Sequence, residues 1–128
     1  MKKRAFTLTE LLLVVVLVGT IAAIVWPQLA KMLEARRTNK VEKVMFAVRT
    51  EQETRCSLDK FYTTQMADLT AILGNLDGKY TYQLQNEGIS AASTTQDYQL
   101  QMLSYHDGRV CCSGTYCRKL ENNYPLCE

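Results

Sequence analysis

The sequence predicts an α+β fold in which one long N-terminal helix packs against a small antiparallel β-sheet. Three observations predict this fold. Apolar residues follow a helical period over roughly residues 6–55, two later segments alternate large and polar residues, and an Asp-Gly pair marks a turn into one further strand. The 128 residues leave room for one domain.

The predicted helix runs from about Phe6 to Arg55 and changes character near Pro27. From Leu11 to Trp26 the chain has sixteen residues without a charge. A helix that is apolar all round is buried in lipid or in a large protein, and the rest of this chain is too small to bury it. After Pro27 the predicted helix is amphipathic. Its apolar residues recur at three- and four-residue spacings: Leu29, Met32, Leu33, Val41, Val44, Met45 and Val48.

Two residues are weak points of this helix. Gly19 and Pro27 are both poor helix formers, and proline also removes a backbone donor and clashes with the preceding turn. We therefore expect a bend near Pro27 and a locally weak helix between the two residues.

The segment after Cys56 predicts a loop, a short helix at Gln65–Leu73 and then a sheet of three or four strands. Residues 80–85, YTYQLQ, and 98–103, YQLQML, alternate as half-exposed strands do. Asp107-Gly108 predicts a hairpin turn, so residues 109–113 should return as a strand against the second segment. The polar stretch between the first two strands, residues 86–97, is predicted to be an exposed loop.

Charge gives little support to nucleic-acid binding. Three of the fifteen basic residues lie in the first four positions, which leaves twelve basic against thirteen acidic residues in the rest of the chain. The exposed basic residues of the second helical half, Arg36, Arg37, Lys40 and Lys43, predict a solvated face, with phospholipid or a neighbouring acidic surface as the alternative contact. No nucleic-acid partner is predicted.

The five cysteines are predicted to be structural and to form disulfides. They are Cys56, Cys111, Cys112, Cys117 and Cys127. Basic residues before an apolar segment mark its cytoplasmic side, so the cysteines should lie outside the cytoplasm, where disulfides persist. There is no CxxC pair and one histidine, His106, which does not fit a zinc or redox centre. Asp97 and Asp107 do not have the spacing of a calcium loop.

The pairing of these cysteines stays open at the level of sequence. Neighbouring strand residues point to opposite faces, so only one of Cys111 and Cys112 can face the helix. We expect that one to pair with Cys56, and Cys117 to pair with Cys127 and close the C-terminal loop. One thiol is then left over.

The N-terminus has the basic and apolar segments of a membrane-targeting signal, and one acidic residue that is unusual in such a signal. Lys2, Lys3 and Arg4 precede the apolar run, as in a secretory signal, but Glu10 lies directly before it. A carboxylate at the membrane centre costs about 2.5–3.5 kcal/mol, and less near the interface. A residue with that cost usually has a partner.

Residues 3–12, KRAFTLTELL, followed by an apolar run that ends at Pro27, resemble the class III signal of type IV pilins and type II secretion pseudopilins. The resemblance implies that a peptidase on the cytoplasmic face cuts between Ala5 and Phe6 and methylates the new amino terminus at Phe6. It also places Glu10 at the glutamate position of that family. The family usually has glycine before the cut, and we expect Ala5 to permit cleavage because alanine is the smallest change.

The resemblance implies a pilin-like architecture with three parts. Residues 1–5 would be a leader peptide, 6–27 a transmembrane and assembly helix, and 28–128 an extracytoplasmic head. Before assembly the chain would cross the inner membrane once with its N-terminus in the cytoplasm, and afterwards it would lie in a pilus outside the cell. In related pili the segment that corresponds to Gly19–Pro27 loses helix on assembly.

The function implied is that of a structural filament subunit, not an enzyme, with no cofactor. Its partners would be other copies of itself and related pilins, the prepilin peptidase and methyltransferase, the inner-membrane assembly platform and the inner membrane. A minor pilin and a secretion pseudopilin remain alternatives within the family. A membrane-tethered extracytoplasmic binding module that does not polymerise is the alternative from another class.

Overall fold

The computed structural model describes residues 5–74 and 78–128, and within them a long helix that packs on a four-stranded sheet. The helix, α1, is Leu8–Asp59 and has 52 residues, which gives a length of about 78 Å. A 3₁₀ turn at Met66–Leu69 leads into a short helix, α2, at Thr70–Leu73. Most of the predicted leader, residues 1–4, lies outside the described residues.

The sheet is an antiparallel meander in the order β1-β2-β3-β4. Its strands are Tyr80–Leu84, Ile89–Ser93, Gln99–Met102 and Val110–Ser113. The predicted Asp-Gly turn is present, with Gly108 at φ 70°, where glycine is favoured. The α+β architecture and three of the four strands are therefore as predicted.

One predicted loop was wrong, and another begins later than predicted. Strand β2 lies inside the polar stretch 86–97 that was expected to be an exposed loop. Its sequence, ISAAS, has small residues in place of the large alternating side chains that mark a strand, and it is held by strands on both sides. Helix α1 also continues to Asp59, four residues beyond its predicted end, and Lys60 caps it in the left-handed conformation.

The inward face of the sheet forms the core together with α1. The two central rungs that cross all four strands on this face are Leu84, Ile89, Met102 and Val110, and then Tyr82, Ala91, Leu100 and Cys112. The outward positions carry Thr, Gln, Ser, Ala and one Cys, and no charged residue. The sheet thus has an apolar inner face and an uncharged polar outer face.

Helix α1 contributes a narrow stripe to this core, and it begins further along the chain than the apolar pattern suggested. Its buried residues are Glu34, Thr38, Val41, Met45, Val48 and Gln52. They recur every three or four residues, so they share one helix face. Leu29, Met32 and Leu33, which continue the apolar pattern towards the N-terminus, are exposed.

The polar members of the stripe each bind the helix to a different part of the head. The Thr38 hydroxyl accepts a hydrogen bond from Asn122 Nδ2 at 3.0 Å. Gln52 donates to the carbonyl of Thr63 at 2.7 Å and accepts from its N–H at 2.9 Å. Among the described residues no buried side-chain nitrogen or oxygen lacks a hydrogen bond. The second half of α1 is therefore fixed to the head by specific polar contacts as well as by apolar packing.

Candidate functional site

The first half of α1 is exposed along its whole length. Every residue from Ala5 to Leu33 is exposed, and the exposed fraction is 81% for Phe6 and 75% for Trp26. By length and composition this helix is able to cross a membrane, and none of its most apolar window is buried in the molecule. Apolar surface on this scale in a small chain marks a site covered by lipid or by other protein.

The start of α1 is held by two hydrogen bonds between Thr7 and Glu10. Thr7 is the N-cap, and its hydroxyl accepts from the backbone N–H of Glu10 at 3.3 Å. The Glu10 carboxylate in turn accepts from the backbone N–H of Thr7 at 3.1 Å. This reciprocal capping box satisfies two of the donors that a helix start leaves unpaired.

The sequence predicted a partner for Glu10, and the structure shows that its partner within the chain is Thr7, a capping role that was not predicted. The pattern Thr-x-x-Glu before an apolar run is the known signature of a capping box, so the signal was present in residues 7–10. Ala5 and Phe6 precede the cap and lie outside the helix. The predicted cut thus falls in exposed chain directly before the first helical turn.

The two predicted weak points lie inside a continuous helix. Gly19 and Pro27 are both within α1, and beyond the neighbouring turns of the helix nothing in the described residues lies within 4 Å of the position of a Gly19 Cβ. Between them, the hydroxyl of Thr20 donates to the carbonyl of Leu17 at 2.9 Å, so this polar group is satisfied inside the apolar segment. Loss of helix on assembly stays a prediction about the filament.

A buried carboxylate lies where α1 enters the head. Glu34 is 5% exposed. Its Oε1 accepts from the Tyr98 hydroxyl, and its Oε2 accepts from Arg37 at 3.0 Å. The Tyr80 hydroxyl, which is hydrogen-bonded to that of Tyr98, is 3.5 Å from the same carboxylate. No sequence pattern pointed to this cluster, because Tyr80 and Tyr98 lie 46 and 64 residues from Glu34 in the sequence.

The disulfides correct the expected pairing. Cys111 is bonded to Cys127 and Cys112 to Cys117, while Cys56 is a free, partly buried thiol. The adjacent cysteines do point to opposite faces of β4, but the inward one, Cys112, pairs with Cys117 of the C-terminal segment and not with Cys56. Two bonds and one thiol are present, as expected; the partners are different.

The C-terminal segment is thereby fastened to the edge of the sheet. The N–H of Cys112 donates to the carbonyl of Pro125 at 2.8 Å, and the N–H of Cys127 donates to the carbonyl of Cys112 at 3.0 Å. These bonds form a short parallel bridge along β4, and the Cys111–Cys127 bond closes it. The segment covers part of an edge strand, which is otherwise open to pairing with another chain.

The fold and the N-terminus together define the class of protein. It has an α+β head, and the exposed first half of its long helix is able to cross a membrane. A family model of the prokaryotic N-terminal methylation motif matches residues 1–26. This motif is the class III signal of type IV pilins and pseudopilins, so the resemblance found in residues 3–12 is confirmed. No curated protein and no solved structure matches the chain.

The motif supports a type IV pilin-like or pseudopilin precursor, and it points to a structural subunit rather than an enzyme. The exposed apolar helix and the motif together fit a precursor anchored in the inner membrane. The fold is α+β and pilin-like.

Proposed function

We propose that this chain is a structural subunit of a type IV pilus-like filament. A prepilin peptidase would cut between Ala5 and Phe6, the new amino terminus of Phe6 would be methylated, and the subunits would polymerise through the apolar half of α1. The observation that carries the proposal is that this half-helix is exposed along its whole length and that most of it lies within the matched signal.

The exposed half of α1 needs apolar contacts both before and after assembly. Each buried Å² of apolar surface contributes about 25 cal/mol, so a helix of this kind is stable in lipid or against other apolar helices. In the membrane the lipid tails supply these contacts. In a filament, the same surface on neighbouring copies would replace the lipid, and the heads would lie outside.

Glu10 supports assembly over simple anchoring. A carboxylate has about four acceptor sites, and within the described residues the hydrogen bonds to Glu10 come from Thr7 alone, for its own helix cap. After the proposed cut, the chain would begin with a positive amine at Phe6. Two charges about 4 Å apart attract by roughly 4 kcal/mol at an effective dielectric of about 20. The amine of an incoming copy is therefore a fitting partner for the Glu10 of a copy already in the filament.

The C-terminal segment favours a pilus subunit over a secretion pseudopilin within the family. A C-terminal loop pinned by cysteines is more typical of pilins, and here two disulfides pin it. The leader, residues 1–5, the assembly helix, 6–27, and the head, 28–128, are the parts we propose for the precursor. The assembly platform and the peptidase of the inner membrane are its proposed partners.

The test separates the charge of Glu10 from its role in the helix cap. Glu10→Val removes both, Glu10→Gln removes the charge but keeps an acceptor for the Thr7 N–H, and Thr7→Ala weakens the cap by about 1 kcal/mol but keeps the charge. Glu121→Gln, an exposed change in the head, is the matched control. The measurements are membrane fractionation, disulfide content and the yield of sheared surface filaments.

We expect both Glu10 variants to give oxidised, membrane-bound subunit and few or no filaments. Thr7→Ala and Glu121→Gln should still form filaments. A wild-type filament yield from Glu10→Gln and Glu10→Val would reject the charge-pairing mechanism. Loss of both variants from the membrane would show that Glu10 serves insertion.

A further inference from the structure

A shallow polar depression of about 280 Å³ lies on the head, far along the chain from the apolar helix. It begins at one outward rung of the sheet, Ala92, Gln99 and Ser113, and extends over the β2–β3 loop. Pockets that bind drug-sized ligands have volumes of about 300–1,000 Å³, so this depression has room for a ligand of about one small ring.

The depression is built by two loops that are fixed to each other. Asp97 Oδ2 accepts from the Thr115 hydroxyl at 2.6 Å and from the Thr115 N–H at 3.3 Å. Gly114, at φ 119°, lies so close that a Cβ there would meet the Asp97 carbonyl oxygen at 2.5 Å. No other residue fits this backbone position without strain. The shape is therefore present before any ligand binds.

Several polar groups at the depression have no partner within the described part of the chain. The side-chain amides of Gln96 and Gln99 make no hydrogen bond there, and Asp97 uses Oδ2 but not Oδ1. The hydrogen bonds from Thr115 lower the pKa of the Asp97 carboxyl, which therefore stays ionised near neutral pH. The groups available are two amides, each a donor and an acceptor, and one anionic acceptor.

The chemistry of the lining restricts the ligand. No Lys, Arg or His lines the depression, and it contains a carboxylate, so an anion is disfavoured. No group of three or more metal-binding side chains occurs among the described residues, so a divalent cation would lack ligands. The amide and hydroxyl lining does not suit an apolar ligand. A neutral molecule with several hydroxyls, each a donor and an acceptor, satisfies these groups.

We infer that this depression binds a neutral, hydroxyl-rich sugar unit of a glycan, with Asp97, Gln96 and Gln99 as its hydrogen-bonding residues. The adjoining outer face of the sheet carries no charge, so a glycan chain can lie across it without burying an unpaired ion. The inference does not require filament formation. In a filament, repeated sites would raise a weak affinity by avidity of about 10²–10⁴-fold.

The experiment uses the full-length chain in a detergent without a sugar headgroup. Immobilised neutral disaccharides built from hexoses and N-acetylhexosamines are the probes, and a lysine-rich peptide is the probe for a cationic ligand. The variants are Gln96→Ala, Gln99→Ala and Asp97→Asn. Asp107→Asn, an exposed carboxylate on a different turn, is the matched control. Because the two glutamine side chains have no partner in the described head, their removal should leave it folded, even if Asp97→Asn loosens the loops.

We expect at least one neutral disaccharide to bind with a Kd of about 1 mM or tighter. Each of the three variants should weaken binding about tenfold, and Asp107→Asn should leave it unchanged. The inference is overturned if no neutral disaccharide binds at about 10 mM, or if binding survives both glutamine variants. Displacement of the sugar by the lysine-rich peptide at lower concentration would also overturn it, since the site would then recognise amines.

Discussion

Glu34 is the first residue of α1 whose side chain enters the head, and it does so as a carboxylate. A buried charge is tolerated when hydrogen bonds and an opposite charge replace its water. The Tyr98 hydroxyl and the Arg37 guanidinium supply both, from the sheet side and from the helix itself. The cluster therefore holds the point at which the free half of α1 leaves the head.

Removing one donor from this carboxylate should destabilise the head. Tyr98→Phe deletes a hydrogen bond to a charged acceptor, which contributes about 1.5–3 kcal/mol. Tyr116→Phe is the matched control, because the Tyr116 ring stacks on Tyr98 while its hydroxyl has no partner among the described residues. Chemical denaturation of the detergent-solubilised chain measures both. Equal stabilities of the two variants would contradict the role given to Glu34.

The same cluster predicts a loss of stability at alkaline pH. Burial raises the pKa of Tyr80 to about 12, and burial together with the hydrogen bond to Glu34 also raises the pKa of Tyr98. In the unfolded chain both ionise near pH 10. Above that pH the unfolded state releases protons that the folded state keeps, so the free energy of unfolding should fall as pH rises from about 10 to about 12.

Denaturation midpoints across this pH range test the expectation. Tyr98→Phe should reduce the slope, because one of the tyrosines whose pKa is raised in the folded head is gone. A wild-type free energy of unfolding that stays constant from about pH 10 to about pH 12 would show that the two hydroxyls ionise in the folded head.

Among the elements, the strands show how far the sequence pattern reaches. β1, β3 and β4 were predicted because large and polar residues alternate or because a turn signal precedes them. β2 was missed because Ile89–Ser93 has no large side chain after its first residue, and its position depends on the ladders to β1 and β3. Hydrogen bonding to the two neighbouring strands therefore outweighs the weak preference of these residues for a strand.

The N-terminal site was predictable to a greater extent than the head contacts. The matched motif and the apolar run are local in sequence, so the family resemblance of residues 3–12 could be found without the structure, while the cut between Ala5 and Phe6 and the assembly role of Glu10 stay predictions. Disulfide partners and the Glu34 cluster depend on how distant segments pack. Cys56 was the expected partner for the inward cysteine of β4, but the C-terminal segment supplies that partner in Cys117.

The two disulfides of the C-terminal segment should differ in their resistance to reductant. Cys112 and Cys117 are buried in the core, whereas Cys127 is only partly buried. Thiol-disulfide exchange requires access of the attacking thiolate to a sulfur. Limited reduction of the folded chain should therefore open Cys111–Cys127 before Cys112–Cys117.

Alkylation followed by peptide mapping gives the order. Without reductant, Cys56 alone should be labelled in the unfolded chain. With increasing reductant, Cys111 and Cys127 should be labelled next. Labelling of Cys112 and Cys117 first, or a native disulfide that contains Cys56, would contradict the arrangement of this segment.

The whole molecule divides along α1 into two parts with opposite surroundings. From Glu34 onwards the helix has a buried stripe and specific polar contacts to the head, and before Glu34 it has none. The matched signal, residues 1–26, ends before Glu34. The first half of the helix is therefore available for contacts with lipid or with other apolar surfaces.

The most direct test of the filament proposal is the intact mass of the subunit in sheared surface filaments. We expect a subunit that lacks residues 1–5, begins at Phe6 and carries one additional methyl group. Retention of Met1, or a cut beyond Ala22 or Ala23, in the mature protein would contradict it, as would the absence of this chain from the filaments.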